Sequence, residues 1–403
     1  MMDGAPAAHP APGPVNAAVA GVAAPPIPEA RGWASRYDGA YGPALDLTQA
    51  VPGYPPHPGI VDSLAAAVRD PATLGYGNIT GDAGLREAYA AEVSALYGGR
   101  VGPGEVAITG GANMGRFAVT MLLAGPGQSI MLPVPWYFNH QMNAGLLGIG
   151  VVPLPCRPER GFVPDPAEAE ALLDESVRAI ILVSPNNPTG AIYPPEVLGK
   201  FAALCRRRGI KLVLDETYRD FREAGQAAPH GLFREADWAE TLIQLYSFSK
   251  AYCVPGHRAG AIVADSLLMP ELTKILDCLQ ICASRVGQAA LAWAIPNLSA
   301  WREGNRLTMN ARGAACRWAF ADLGASGWRI ESQGGYFAYL RHPFSGLSAM
   351  AIAEALAVQR GVITLPGSAF GPGQENYVRL AFANVEAAAI EDVAKRLDGF
   401  EIR

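Results

Sequence analysis

Lysine is scarce in this chain. The 403 residues include Lys200, Lys211, Lys250, Lys274 and Lys395 and no other lysine, and charged residues make up 17% of the whole, against about 25% in a typical soluble domain. Lys plus Arg number 32 and Asp plus Glu 37, for a formal net charge of −5. That balance supplies no basic surface for phosphate backbones and sets nucleic-acid binding aside. Long apolar runs are also missing: none approaches the ~18 residues that span a bilayer. The first Lys or Arg is Arg31, so the start lacks the basic segment of a secretory signal. Six cysteines (Cys156, Cys205, Cys253, Cys278, Cys282 and Cys316) are scattered, which speaks for reduced thiols and a cytoplasmic location. Cys278 and Cys282 lie one helical turn apart without a second ligand pair nearby, so core packing is expected there and no metal site. No apolar strand is followed by an intact GxGxxG, which disfavours a nicotinamide dehydrogenase.

What the chain does have is apolar residues, at 50%, enough for a large core and a subunit interface. The length predicts two to three domains at roughly 150 residues each. Residues 1–30 are rich in Ala, Pro and Gly. Proline at that density opposes helix and ladder alike, which predicts a mobile arm, with its end (PPIPEARGW) docking on the body. Beyond residue 100, short β-rich runs at 129–134, 150–154, 178–184, 210–214, 241–246 and 259–263 alternate with helical patterns such as 195–208. Continuous apolar strands separated by helices predict a mainly parallel sheet covered on both faces. The last hundred residues follow a different pattern, with a long helix near 298–322, strands around WRIES, GYFAYL, VITL and VRLAF, and helices near 347–359 and 384–397. These predict a smaller α+β domain.

Three segments follow predicted strands directly and place polar groups where open α/β sheets collect ligands. The first is Ser184-Pro185-Asn186-Asn187-Pro188-Thr189-Gly190. The second is Asp215-Glu216-Thr217-Tyr218. The third, LYSFSKAYCVPGHRAG, offers Ser247, Ser249, Lys250 and Arg258. Among the lysines, only Lys250 sits in a Ser/aromatic/Gly setting. A lysine in a desolvated pocket has a lowered pKa and can form a Schiff base with an aldehyde. An aspartate at a strand end can hold a protonated pyridine nitrogen, tyrosine and asparagine can donate to a phenolate oxygen, and Ser and Arg beside a helix N-terminus suit a phosphate. Together these describe a site for pyridoxal 5′-phosphate. Plainer roles compete: Asp215 as a helix cap, NNPTG as a turn. Arg379, inside an apolar strand, would be costly to bury unpaired and favours an anionic ligand.

SPNNPTG, DETY, SFSK and GHR, in this order and spacing, resemble class I/II aminotransferases of the fold type I pyridoxal-phosphate superfamily, from about residue 45 to the C-terminus. The resemblance implies an aspartate aminotransferase-like fold: a large domain (76–295) with a mainly parallel seven-stranded sheet flanked by helices, a segment 31–75 packing on the small domain, and the small domain itself at 296–403. It implies Lys250 as the lysine that binds the cofactor aldehyde and later shuttles the proton, and Asp215 as the partner of the ring nitrogen. Asn187 and Tyr218 would bond the ring oxygen, and Ser247, Ser249 and Arg258 the phosphate. Ala112 and Asn113 in ITGGANMGRF resemble the phosphate cup. Tyr137 falls at the stacking position, with Trp136 and Phe138 as rivals. Tyr76 resembles the tyrosine that reaches a neighbouring subunit's phosphate, which implies a homodimer, and Arg379 the clamp for the substrate carboxylate. Arg285 approaches a substrate side chain or serves the surface.

The resemblance further implies chemistry through a Schiff base and a quinonoid intermediate on an amino acid. Ala50 stands where many relatives carry glycine, so its methyl is expected to press on the substrate carboxylate. Met114, Gly115 and Arg116 replace commoner small or apolar helix formers in the cup. Gly115 costs about 1 kcal/mol in a helix relative to Ala, as though something needs the room. No second arginine for a dicarboxylate side chain stands out, so the leading expectation is an aminotransferase for a neutral or unusual L-amino acid. The alternatives are a pyridoxal-phosphate lyase or C–C-forming enzyme, for example one using S-adenosylmethionine, and, weakest, an amino-acid-sensing module.

Overall fold

The computed structural model describes residues 13, 15–223, 228–321, 323 and 326–402. Thirteen strands form among the described residues: β1 (Leu45–Asp46), β2 (Val106–Thr109), β3 (Ser129–Val134), β4 (Gly150–Pro155), β5 (Val177–Val183), β6 (Lys211–Asp215), β7 (Leu242–Ser247), β8 (Gly260–Val263), β9 (Arg329–Gly334), β10 (Phe337–Arg341), β11 (Val362–Ile363), β12 (Leu365–Pro366) and β13 (Tyr377–Ala381). Seven of them make the main sheet, in the order β2-β8-β7-β6-β5-β3-β4. Strands β4, β3, β5, β6 and β7 run parallel, and β8 is antiparallel to both β7 and β2. The expected mainly parallel seven-stranded sheet is therefore present.

Its strands read as unbroken apolar runs because both faces are covered. Alternate residues feed opposite layers. Ile181, Val213, Ile243, Leu245 and Ile262 pack with residues of the helices Ala112–Leu123 and Met269–Gln280. Ile180, Leu182, Leu212, Leu214 and Tyr246 join the larger core on the other side. The parallel direction brings every carboxyl end of β4, β3, β5, β6 and β7 to one edge.

A second, antiparallel sheet (β12-β13-β10-β9) lies in the last hundred residues with the helices Ser299–Ala321, Ala349–Arg360 and Ala387–Leu397. The 31–75 segment divides between the two parts. Strand β1 pairs in parallel with β11, whereas the helix Pro58–Arg69 packs on the helix Arg285–Asn297.

Part of the arm departs from the expectation. Residues 1–12 and 14 lie outside the described residues. Ala17–Ala20 and Pro26–Trp33, however, are helical, and Ala30 and Trp33 are buried against the body. Pro26 and Pro28 occupy the first turn, where the missing N–H has no helical acceptor to lose. The expected docking of PPIPEARGW is thus seen. Cys278 and Cys282 are not core residues: the first is exposed and the second half-buried. The helix ends between them at Gln280, and Ile281 takes a positive φ of 60°, so they do not share a helix face. Among the described residues no helix is long and apolar enough to cross a membrane.

Candidate active site

The polar segments that follow the strands converge at the carboxyl edge of the main sheet on a cavity of about 410 Å³. Asp215 ends β6 and Ser247 ends β7. Asn187 follows β5, and the helix Ala112–Leu123 starts just after β2. Ala112, Asn113, Tyr137, Asn187, Asp215, Tyr218, Ser247, Ser249, Lys250 and Arg258 all line this one space. Ala50, Tyr76 and Arg379 do not.

Lys250 sits in the short helix Phe248–Ala251, whose N-cap Ser247 accepts from Ser249 N at 3.3 Å. Its Nζ donates to the Ala50 carbonyl and lies 6.0 Å from the centre of the Tyr218 ring. Burial, together with the charges of Arg258 and Arg379, lowers its pKa from 10.5 to about 8. The unfolded chain therefore binds more protons than the folded one between those values, and stability rises with pH across that window. At full amplitude the shift is worth ~3 kcal/mol. We expect the thermal midpoint of Lys250→Met apoprotein to exceed that of the unsubstituted apoprotein below pH 8, with the gap closing by pH 10.5. A gap independent of pH would mean a solvated amine.

Asp215 is buried. Burial pushes its carboxyl up, but contact with His140 and bonding from Thr217 outweigh this and hold it below the usual range. Thr217 N donates to Oδ1 at 3.0 Å, and His140 Nε2 stands 3.6 Å from Oδ2. Burial and the Arg116 charge lower the His140 pKa to about 4, so at neutral pH the imidazole acts on Asp215 as a neutral N–H dipole and not as a cation. Tyr218, also buried, has its hydroxyl pKa pushed up by desolvation and stays protonated as a donor.

The anion end is built by close packing. Gly111, at φ +94°, caps the helix Ala112–Leu123, and a Cβ there would overlap the Arg258 guanidinium. Arg258 itself takes a left-handed φ of 49° and donates from Nη1 to the Pro255 carbonyl at 3.1 Å. The first-turn N–H groups of Ala112 and Asn113 lack helical acceptors, and both residues line the cavity with Ser247 and Ser249, an arrangement suited to a phosphate. Gly111→Ala is expected to weaken cofactor binding at least ~10-fold, since φ > 0 and the overlap both penalise it. Gly104→Ala, where a Cβ meets nothing within 4 Å, serves as the neutral control in a cofactor titration.

Arg379 lies in β13 just outside the cavity wall. It donates from Nη1 to Asn187 Oδ1 at 3.0 Å and from Nη2 to the Thr48 carbonyl, while its buried Nε has no partner among the described residues. The NNPTG segment is both turn and site. Asn186 Oδ1 accepts from Thr189 N (3.1 Å) and Oγ1 (2.9 Å), and a Cβ on Gly190 would overlap Gly334 N, so these residues shape the turn while Asn187 faces the cavity. Of the three adjacent aromatics, Tyr137 reaches the cavity; Phe138 is buried in the core and Trp136 packs by Gly371.

Several expectations shift. Ala50 contributes its carbonyl to Lys250, and its neighbours Gln49 and Val51 face the cavity in its place. Arg285 is pinned to Asp82 (3.1 Å) and the Ala72 carbonyl, which gives it a surface role. Gly115 leaves room for the sheet and not for substrate: a Cβ there would lie 3.1 Å from Thr109 Oγ1 and 3.3 Å from Ile262 Cγ1. Tyr76 is 82% exposed. Sequence alone does not point to His140, and it gives no role to Thr217 or to Arg116, which it marks only as unusual in the cup, yet all three line the cavity. A spacing signal exists, because His140 is three residues past Tyr137 and Arg116 four past Ala112, one helical turn in each case.

These donors suit an aldehyde, a ring nitrogen and a phosphate, the groups that pyridoxal 5′-phosphate presents. The orphaned Arg379 Nε and the glycine-framed Arg258 are what a site for anionic groups requires. Comparison with known proteins agrees. A mutant aspartate aminotransferase structure from Thermus thermophilus superposes with a TM-score of 0.87 at 23% identity, covering 96% of this chain and 99% of that one, a likeness of fold. The arginine–pyruvate transaminase AruH of Pseudomonas aeruginosa is 30% identical over 84% of each chain. The valine–pyruvate aminotransferase of Mycobacterium tuberculosis is 28% identical over 87% of this chain and 90% of its own. The protein is thus a pyridoxal-phosphate-dependent transferase of fold type I. The family model "Aminotransferase class I and II" matches residues 44–397, and the chain belongs to that family.

Proposed function

We propose that the protein is an aminotransferase for a neutral or unusual L-amino acid. The observation that carries this is the desolvated Lys250 amine in one cavity with Asp215 and Asn187, and Asn187 in turn bonded to Arg379. When bound, the cofactor supplies the electron sink for the bond broken at the substrate Cα. The remaining roles belong to the chain. Arg379 grips the α-carboxylate through its guanidinium fork, with Asn187 and Thr48 fixing that fork. Lys250 would hold the cofactor covalently, and its free amine would take and return the α-proton as general base and acid, a task suited to a pKa of about 8. Asp215, held ionised, would face the ring nitrogen, and Asn187 and Tyr218 would bond the ring oxygen. Tyr137 would stack on the ring, while Ser247, Ser249, Arg258 and the first turn at Ala112 and Asn113 would hold the phosphate.

The case for a neutral substrate side chain is one of position. Arg258 serves the phosphate end, and Arg116 is buried beside Asp215 and His140, so neither arginine on the cavity wall is left for a distal carboxylate. The relatives are named as transaminases, which favours amino transfer over the lyase or C–C-forming alternative. The exposed Tyr76 and its neighbour Leu74, 71% exposed, support a homodimer in which Tyr76 reaches the partner's phosphate site.

The test is a panel of L-amino acids followed by absorbance. Amino transfer leaves the cofactor in its amine form until a keto acid is added. Elimination restores the starting spectrum without one and releases a leaving group, and that result would overturn the proposal. Arg379→Ala should lower kcat/KM by ~30- to ~5,000-fold, the equivalent of ~2–5 kcal/mol for a truncated buried charge contact, mostly through KM and with cofactor content unchanged.

A further inference from the structure

Arg116 is only 1% exposed, although it lies on a cavity-lining helix. Its Nε donates to Thr120 Oγ1 at 3.0 Å, and Thr120 bonds back to the Arg116 carbonyl, so the stem is braced along its own helix. Both Nη atoms are buried with no partner among the described residues. A guanidinium left idle in this way is costly and therefore calls for a reason. Its surroundings supply one: His140 and Asp215 line the same cavity 3.6 Å apart, the Arg116 charge adds to burial in disfavouring the charged form of His140, and Asp215 in turn favours the charged form of Arg116. Tyr137 also faces His140, edge-on at 5.4 Å.

We propose that Arg116 is a positioning residue for Asp215: its charge keeps a second proton off His140, which then turns a neutral N–H toward the carboxylate and leaves the anion's charge for the cofactor ring nitrogen. This deepens the functional reading above and rests on its assignment of Asp215 to that nitrogen. The physical logic is one of competition. A charged imidazolium 3.6 Å from Asp215 would form an ion pair with it and weaken its hold on the ring nitrogen. A nearby fixed cation in a buried site makes that imidazolium unfavourable. Lysine at this position would keep the charge; glutamine would keep a polar group for Thr120 but lose the charge.

The test uses holoenzyme with 15N-labelled pyridoxal phosphate and follows the His140 ring resonance by NMR across pH, assigned by its loss in His140→Asn. In the unsubstituted enzyme and in Arg116→Lys, His140 should stay neutral down to about pH 5. In Arg116→Gln its midpoint should rise by at least about one pH unit, and the ring-nitrogen signal should move toward the unprotonated position as His140 gains its proton. In the Arg116→Gln/His140→Asn double variant, the ring-nitrogen signal should return to that of His140→Asn alone. A His140 midpoint unchanged in folded, cofactor-loaded Arg116→Gln overturns the proposal. So does an equal loss of ring-nitrogen protonation with and without His140. Asp215→Asn separates the two readings: if the ring-nitrogen signal ignores it, the assignment of Asp215 fails, whatever Arg116 does.

Discussion

Lys250→Ala protein is expected to bind pyridoxal phosphate without the absorption band of a covalently held cofactor, and to transfer amino groups at least ~10⁴-fold more slowly. Two losses combine. On the proposed roles the covalent tie would disappear, and so would the base that removes and returns the α-proton, a contribution of about 10²–10⁴ on its own. No other lysine can substitute, since Lys200, Lys274 and Lys395 are exposed and Lys211 starts β6, at the end of the strand away from the cavity, where it bonds the Glu240 carbonyl. Ser247, Ser249 and Arg258, the residues proposed to hold the phosphate, remain in the cavity, so the cofactor should still bind, more weakly. Near-normal turnover would remove Lys250 from the chemistry.

Asp215→Ala is the second large effect. The site would keep a buried Arg116 and lose the carboxylate that answers it, while His140 would lose the group that faces its Nε2. We expect kcat to fall by about 10²–10³-fold or more, the scale of removing one preorganised electrostatic partner. Asp215→Glu should recover part of the loss because charge matters most and placement next. The readout is kcat at saturating cofactor, with cofactor content measured separately. A variant that loses only cofactor affinity and regains full kcat on saturation would assign Asp215 to binding alone.

Much of the fold is legible in the sequence because the parallel strands are buried on both faces. Runs such as VRAIILV and KLVLD are largely apolar, and the polar residue at or just past the end of each run falls at the ligand edge by geometry alone. Strand β2 is harder to see: VAIT is four residues long and flanked by Glu105 and Gly110. The two-residue strand β1 carries no pattern, as it exists through tertiary pairing, whereas VITL reads as a single run that the structure divides into β11 and β12. The site follows the same rule. Residues that end or closely follow strands (Asn187, Asp215, Ser247, Lys250) are recognisable, and so is Arg379 as an arginine within an apolar strand. What escapes is the floor: His140 and Arg116 sit on helices, where function shows only in a spacing of three or four from a residue already suspected. Ala50 stands out in the sequence for its methyl group, yet it is its carbonyl that meets Lys250, and a backbone role leaves no trace in residue identity.

Which amine holds the cofactor decides the chemistry, and chemical trapping reads this directly. Holoenzyme reduced with borohydride, digested and mapped by mass spectrometry should carry the phosphopyridoxyl group on the peptide containing Lys250 and on no other. A label on Lys200, Lys211, Lys274 or Lys395 in place of Lys250, or no stable label in a cofactor-saturated protein, would contradict it.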